Sequence, residues 1–112
     1  MRPLHGADLF DAMRAVLTVP AEARATRATQ VTGAACLADR YRKRLGRAHP
    51  RFGNGSLSDA ARAFGLAEGP LRLGGKELAA LLLVIEALVS QRWEGRRRSG
   101  NPALGNRGGD AM

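Results

Sequence analysis

Three side chains have the chemistry of metal ligands or nucleophiles: His5, His49 and Cys36, the only histidines and the only thiol in the chain. A metal site needs several such ligands at motif spacing, and these three are scattered singly. Cys36 with His49 would make a nucleophile and its base. Cys36, however, stands between Ala35 and Leu37 in a helical pattern, where a thiol packs as a small hydrophobe. The carboxylates are likewise scattered. Gly69-Pro70-Leu71-Arg72-Leu73-Gly74-Gly75-Lys76-Glu77 approaches a phosphate-binding loop, but the spacing to Gly75-Lys76 is one residue too long. No strand precedes it, and Glu77 stands where Ser or Thr would hold magnesium. The sequence predicts no enzyme, no metal and no cofactor.

The remaining chemistry is cationic. Eighteen Lys and Arg stand against ten Asp and Glu, a formal charge of +8, and all the cations but Lys43 and Lys76 are arginine. Guanidinium groups suit phosphate and carboxylate, so the partners implied are nucleic acid or an acidic protein. One cluster comprises Arg40, Lys43, Arg44, Arg47 and Arg51, and a second Arg92, Arg96, Arg97 and Arg98. Ordinary helix chemistry explains part of the first. Asp39 can pair with Lys43 at i,i+4, and cations near a helix C-terminus favour its dipole. Arg47 and Arg51 lie beyond the helix, and the second cluster has no such explanation. Both clusters are therefore candidates for phosphate contact.

These cations must be positioned by helices. Ala34, Leu37, Ala38, Tyr41 and Leu45 share one helical face, with Arg40, Lys43 and Arg47 roughly opposite and Arg44 at the flank. Gly46 suits a left-handed C-terminal cap, and Pro50 prevents the helix from resuming. Gly53-Asn54-Gly55 is turn chemistry, and Ser56 with Asp59 spells a capping box for a new helix. The pattern predicts helices over about Asp8–Thr18, Pro20–Leu45, Leu57–Phe64 and Lys76–Glu94, with a weak point at Thr32-Gly33 in the long second one. Leu71 and Leu73 are expected to anchor the connector before the fourth. LSDAARAFGLAEGPL begins like a helix-turn-helix, but Gly69-Pro70 falls where the recognition helix should start. Any DNA contact is then to the backbone, with no base-reading helix.

The fourth helix carries the strongest apolar signal. Leu78, Leu81, Leu82, Ile85, Leu88 and Val89 fall within about 120°, and Leu83 and Val84 lie outside that sector. A helix apolar nearly all round needs cover on more than one side, which assigns Leu83 and Val84 to a homo-oligomer interface. The fold class expected is all-α: a small helical domain of about four helices, one of them long, over residues 1–95. A disordered basic C-terminal tail over 96–112 follows, poor in apolar residues. The N-terminus lacks the apolar run of a signal peptide, and no segment is long enough to span a bilayer. A single cysteine excludes an intramolecular disulfide and fits a cytoplasmic location.

The segment Asp39-Arg-Tyr-Arg-Lys-Arg-Leu-Gly-Arg-Ala-His-Pro-Arg-Phe-Gly-Asn-Gly-Ser-Leu57, with the opening Met1-Arg2-Pro3-Leu4-His5-Gly6, resembles a family of small rhodobacterial proteins. That family is identified as one that includes the small terminase component of gene transfer agents, the phage-derived particles these bacteria make. The resemblance covers about half the chain and carries no catalytic motif. It implies a non-enzymatic helical oligomer that handles DNA and recruits a large terminase ATPase. Phage small terminases usually bring a helix-turn-helix, which is missing here, so weak, sequence-independent DNA contact is the role that remains. The competing reading is a protein-binding regulatory module that docks an acidic partner and has no nucleic-acid role.

Overall fold

The computed structural model describes residues 2–70 and 72–99, with side chains described as far as Arg92. The described residues form four α-helices, α1 (Gly6–Val16), α2 (Arg24–Leu45), α3 (Leu57–Phe64) and α4 (Gly75–Ser99). A 3₁₀ turn at Ala21–Ala23 precedes α2. The only strand-like pairing among them is an isolated bridge between His49 and Gly53. The fold class is therefore all-α, as the periodicity requires.

Each helix end has a visible cause. Asp8 caps α1 by accepting from the His5 N–H at 2.8 Å. Its other oxygen accepts from the Ser58 N–H in the first turn of α3 at 3.1 Å, so one buried carboxylate serves two helix starts. Ser58 Oγ and the Arg62 guanidinium reach Asp11 at 2.7 and 3.4 Å and complete the α1–α3 seam. Gly46 ends α2 with φ of 72°, its N–H donating to the Arg42 carbonyl at 2.8 Å. The capping box before α3 forms in one direction. Ser56 Oγ accepts from the Asp59 N–H, while the Asp59 carboxylate takes the Asn54 N–H instead of returning to Ser56. The Ser56 N–H goes to Asn54 Oδ1.

The expected weak point at Thr32-Gly33 does not break α2. Thr32 is fully buried, and its hydroxyl donates back to the Ala28 carbonyl at 3.1 Å. The fourth helix also runs past the expected Glu94 to Ser99, because a lone Gly95 among good helix formers is a tolerable cost. The connector before it is anchored differently than expected. Leu73 is half exposed, and Leu71 lies outside the described residues. Leu66 packs on the core instead, and the Arg14 guanidinium holds the Ala67 and Gly69 carbonyls at 3.1 and 3.0 Å. Residues 96–99 of the expected tail belong to α4, and the rest of it, 100–112, lies outside the described residues.

Alanine supplies most of the buried apolar positions: Ala12, Ala15, Ala28, Ala35, Ala60, Ala61 and Ala80 are essentially inaccessible. Met13, Val16, Val31, Leu57 and Val84 provide the bulk between them. Small side chains let four helices approach closely around little volume. Ala25 and Thr29 of α2 face Leu83, Ala87 and Ser90 of α4, and Gly33 lies beside Gln91. The two longest helices thus ascend side by side in the same direction.

A Cβ built on Gly33 would meet only Gln91 Nε2 at 3.6 Å, an ordinary contact. Gly33→Ala therefore removes a flexible residue from a helix interior without a clash. It should stabilise the protein by about 0.5–1 kcal/mol, read as an upward shift of the urea midpoint.

Candidate nucleic-acid and assembly surfaces

The basic cluster stands on a platform built from the end of α2 and the loop before α3. Its foundation is Asp39, which is 2% exposed on the buried side of α2. Its carboxylate meets Lys43 Nζ at 3.0 Å and the Arg42 guanidinium at 3.3 Å. Gly55 seats directly on it: a Cβ there would lie 2.8 Å from Asp39 Cα, and its φ of +96° is one that side chains disfavour. Burial by itself would raise the Asp39 carboxyl, but the hydrogen bonds and positive charges beside it, Lys43 among them, win and hold it at about 2.

A column of rings fixes the rest of the loop. Tyr41 meets the His49 ring edge-on at 4.8 Å, and His49 stacks on Phe52 at 5.1 Å. Phe52 stacks on Phe64 at 5.8 Å, and the Arg27 guanidinium closes the column 5.1 Å from the Phe64 ring. Tyr41 and Arg27 are separated by roughly 21 Å of helix axis, so the column runs back along α2. His49 is committed to this structure. Its Nδ1 accepts from the Arg51 and Phe52 N–H groups at 3.0 and 3.1 Å, and its backbone pairs with Gly53 in both directions. Cys36 is a free, half-buried thiol on α2. No cluster of three metal-ligating residues occurs among the described residues.

The face of α2 that is buried is not the expected one. The buried side carries Ala28, Val31, Thr32, Ala35, Ala38 and Asp39, roughly a quarter turn from the expected face. Leu37 and Leu45 are consequently exposed, at 44% and 54%. With Tyr41 they line an open groove of about 610 Å³ whose other walls are Arg40, Lys43 and Arg44. Lys43 is partly neutralised by Asp39. Arg40, Arg44, Arg47 and Arg51 are exposed and make no ion pair among the described residues, Arg51 lying 5.1 Å over the Phe52 ring. Arg92 is exposed on α4 just after Gln91, the neighbour of Gly33, and so sits well down α2 from the first cluster. The side chains of Arg96, Arg97 and Arg98 lie outside the described residues.

The apolar faces of α4 are exchanged relative to expectation. Val84 is fully buried in the core and Leu83 packs against it, so neither offers a free surface for a second chain. From the expected core stripe, only Leu88 is buried and Leu81 partly so. Leu78, Leu82, Ile85 and Val89 point outward, between 41% and 62% exposed. They follow one another at steps of four, three and four residues and fall within about 60° of each other. Leaving half of each such side chain in water forgoes about 1 kcal/mol apiece. The expectation of an over-apolar fourth helix holds, with its bare side opposite to the one assigned.

These features define a small all-α protein with a basic, aromatic-braced helix end and a helix apolar on two sides. The chain belongs to the family described as a domain of unknown function, DUF7742, whose match spans residues 2–88 and ends on Leu88, the last buried residue among the described side chains of α4. No curated protein and no solved structure matches it. No described helix is long and apolar enough to cross a membrane.

Because the Asp39 carboxyl lies below its ordinary 3.8, the folded state favours the ionised form. The resulting stability is complete above about pH 4 and is lost as pH falls towards 2. Asp39→Asn should cost roughly 2 kcal/mol at pH 7, and most of that difference between wild type and variant should disappear at pH 2. Urea titrations of both proteins at the two pH values check this. Gly55→Ala should cost about 2–4 kcal/mol, since positive φ and overlap with Asp39 both oppose it.

Proposed function

We propose that this protein is a non-enzymatic DNA-packaging adaptor of the small-terminase kind. Copies assemble through α4, touch DNA weakly and without sequence preference, and recruit a large terminase ATPase in the cytoplasm. The observation that carries the reading is the set of exposed arginines on the platform, Arg40, Arg44, Arg47 and Arg51, which no carboxylate neutralises among the described residues. Arginine on a braced helix end suits phosphate oxygens. The helix that follows α3 in a base-reading motif has no counterpart, since the described part of the connector from Gly65 to Gly74 is not helical. Contact is then to the DNA backbone alone, and several copies in one assembly multiply weak contacts into useful avidity. The resemblance of Asp39–Leu57 to the small terminase component of gene transfer agents supports the same reading.

A second reading is a regulatory module that docks an acidic protein and has no nucleic-acid role. The groove favours it, because Leu37, Tyr41 and Leu45 give an apolar strip beside the cations. Salt sensitivity is common to both readings. Fluorescence anisotropy with a random-sequence duplex separates them. We expect binding that weakens steeply with salt. Replacing Arg47 and Arg51 together by Ala should weaken it at least tenfold and flatten the log–log salt slope by about 2. No binding at low salt would reject the DNA role, and unchanged binding in the double variant would move the contact elsewhere, first to Arg96–Arg98.

A further inference from the structure

The molecule carries two bare apolar surfaces of opposite shape. The first is the ridge on α4, where Leu78, Leu82, Ile85 and Val89 project as one row and the exposed Glu86 borders it. The second is the open groove on the outer side of the end of α2, lined by Leu37, Tyr41 and Leu45 beside Arg40, Lys43 and Arg44. They do not meet within one molecule. The α2–α4 contact uses other positions, with Ala25 and Thr29 against Leu83, Ala87 and Ser90.

We infer that the α4 ridge of one copy seats in the α2 groove of the next, with Glu86 meeting Arg40 or Arg44. This inference rests on the self-association proposed above and identifies its two surfaces. Two observations favour it over pairing of two ridges. Symmetric ridge–ridge contact would cover α4 and leave Leu37 and Leu45 in water, whereas ridge-to-groove contact covers both patches. Among the described side chains, the exposed carboxylate beside Leu82 and Ile85 is Glu86, and it finds the cations Arg40 and Arg44 on the groove. Like charge across a contact is unfavourable, and complementary charge sets the pairing. Because the two surfaces differ, each copy retains one free end after pairing, so the contact is head-to-tail and propagates to a ring or filament.

Sedimentation velocity on the full chain at tens of micromolar tests this. One variant, Leu82→Arg with Ile85→Arg, spoils the ridge. The other, Leu37→Arg with Leu45→Arg, spoils the groove. All four positions are exposed, and unchanged helical circular dichroism confirms that each variant folds. Wild type should form species larger than a dimer, and each variant alone should be monomeric. Their equimolar mixture should form dimers and nothing larger, because one intact ridge then meets one intact groove. Glu86→Arg should weaken wild-type association at least tenfold, and adding Arg40→Glu with Arg44→Glu should restore much of it. Self-association of the groove variant alone would overturn the groove while leaving assembly through α4 intact. A monomeric wild type would overturn both this interface and the self-association on which it rests.

Discussion

The contact between Asp39 and Gly55 is the constraint on which the rest of the platform depends. A carboxylate on the buried side of α2 is stable only while charge and hydrogen bonds surround it. Arg42 and Lys43 supply part of that from the same helix. Gly55 supplies the lid, because no other residue could approach the Asp39 backbone so closely. Once Gly55 is fixed, Ser56 follows one residue later at the cap of α3, and Phe52 is held three residues before it against Phe64. Asp8 then ties the start of α3 to the start of α1. The loop thus converts one buried charge into the orientation of three helices, and the exposed arginines inherit that rigidity.

Local backbone signals were legible in the sequence. The Gly46 cap, the Ser56 cap, the turn at Gly53–Gly55 and the four helices all sit where residue types place them. Those signals depend on the conformational limits of single residues, which tertiary context seldom overrides. The faces of the helices were not legible, and α2 explains why. Its buried side includes Thr32, which bonds its own backbone, and Asp39, which is neutralised locally. Counting both as polar pushes the apparent apolar face towards Leu37, Tyr41 and Leu45. The same error put the cations opposite the apolar residues, when Arg40 and Arg44 share a groove with them.

Helix α4 failed for a related reason. Hydropathy ranks leucine far above alanine, so the leucine-rich side looks like the core. What faces α4 on α2, however, is a set of small residues, Ala25, Thr29 and Gly33. Close-packed interiors select by volume as well as by polarity. Ala80, Val84 and Ala87 fit that space, and a row of leucines would hold the helices apart. The signal that could have revealed this lies in the partner: Ala25, Thr29 and Gly33 call for a helix that is small where it meets them.

An alanine core has a further consequence for how such a chain works. Each buried alanine removes little area from water, so the monomer gains less from burial than a leucine-filled core of equal length would give. The large apolar side chains that could have supplied that stability stand on the outside of α4 and at the end of α2. A sequence under pressure only to fold would not distribute them so. Surface apolar rows of this regularity lower the stability of the isolated chain and raise its tendency to associate. In the assembly proposed above, folding and association would be linked through the same leucines, and the population of well-formed platforms would rise with the concentration of copies. A cationic surface made of weak individual contacts becomes effective under that same condition. The packing that leaves α4 apolar on two sides, and the four platform arginines that no carboxylate neutralises among the described residues, are the two features on which the proposed assembly rests.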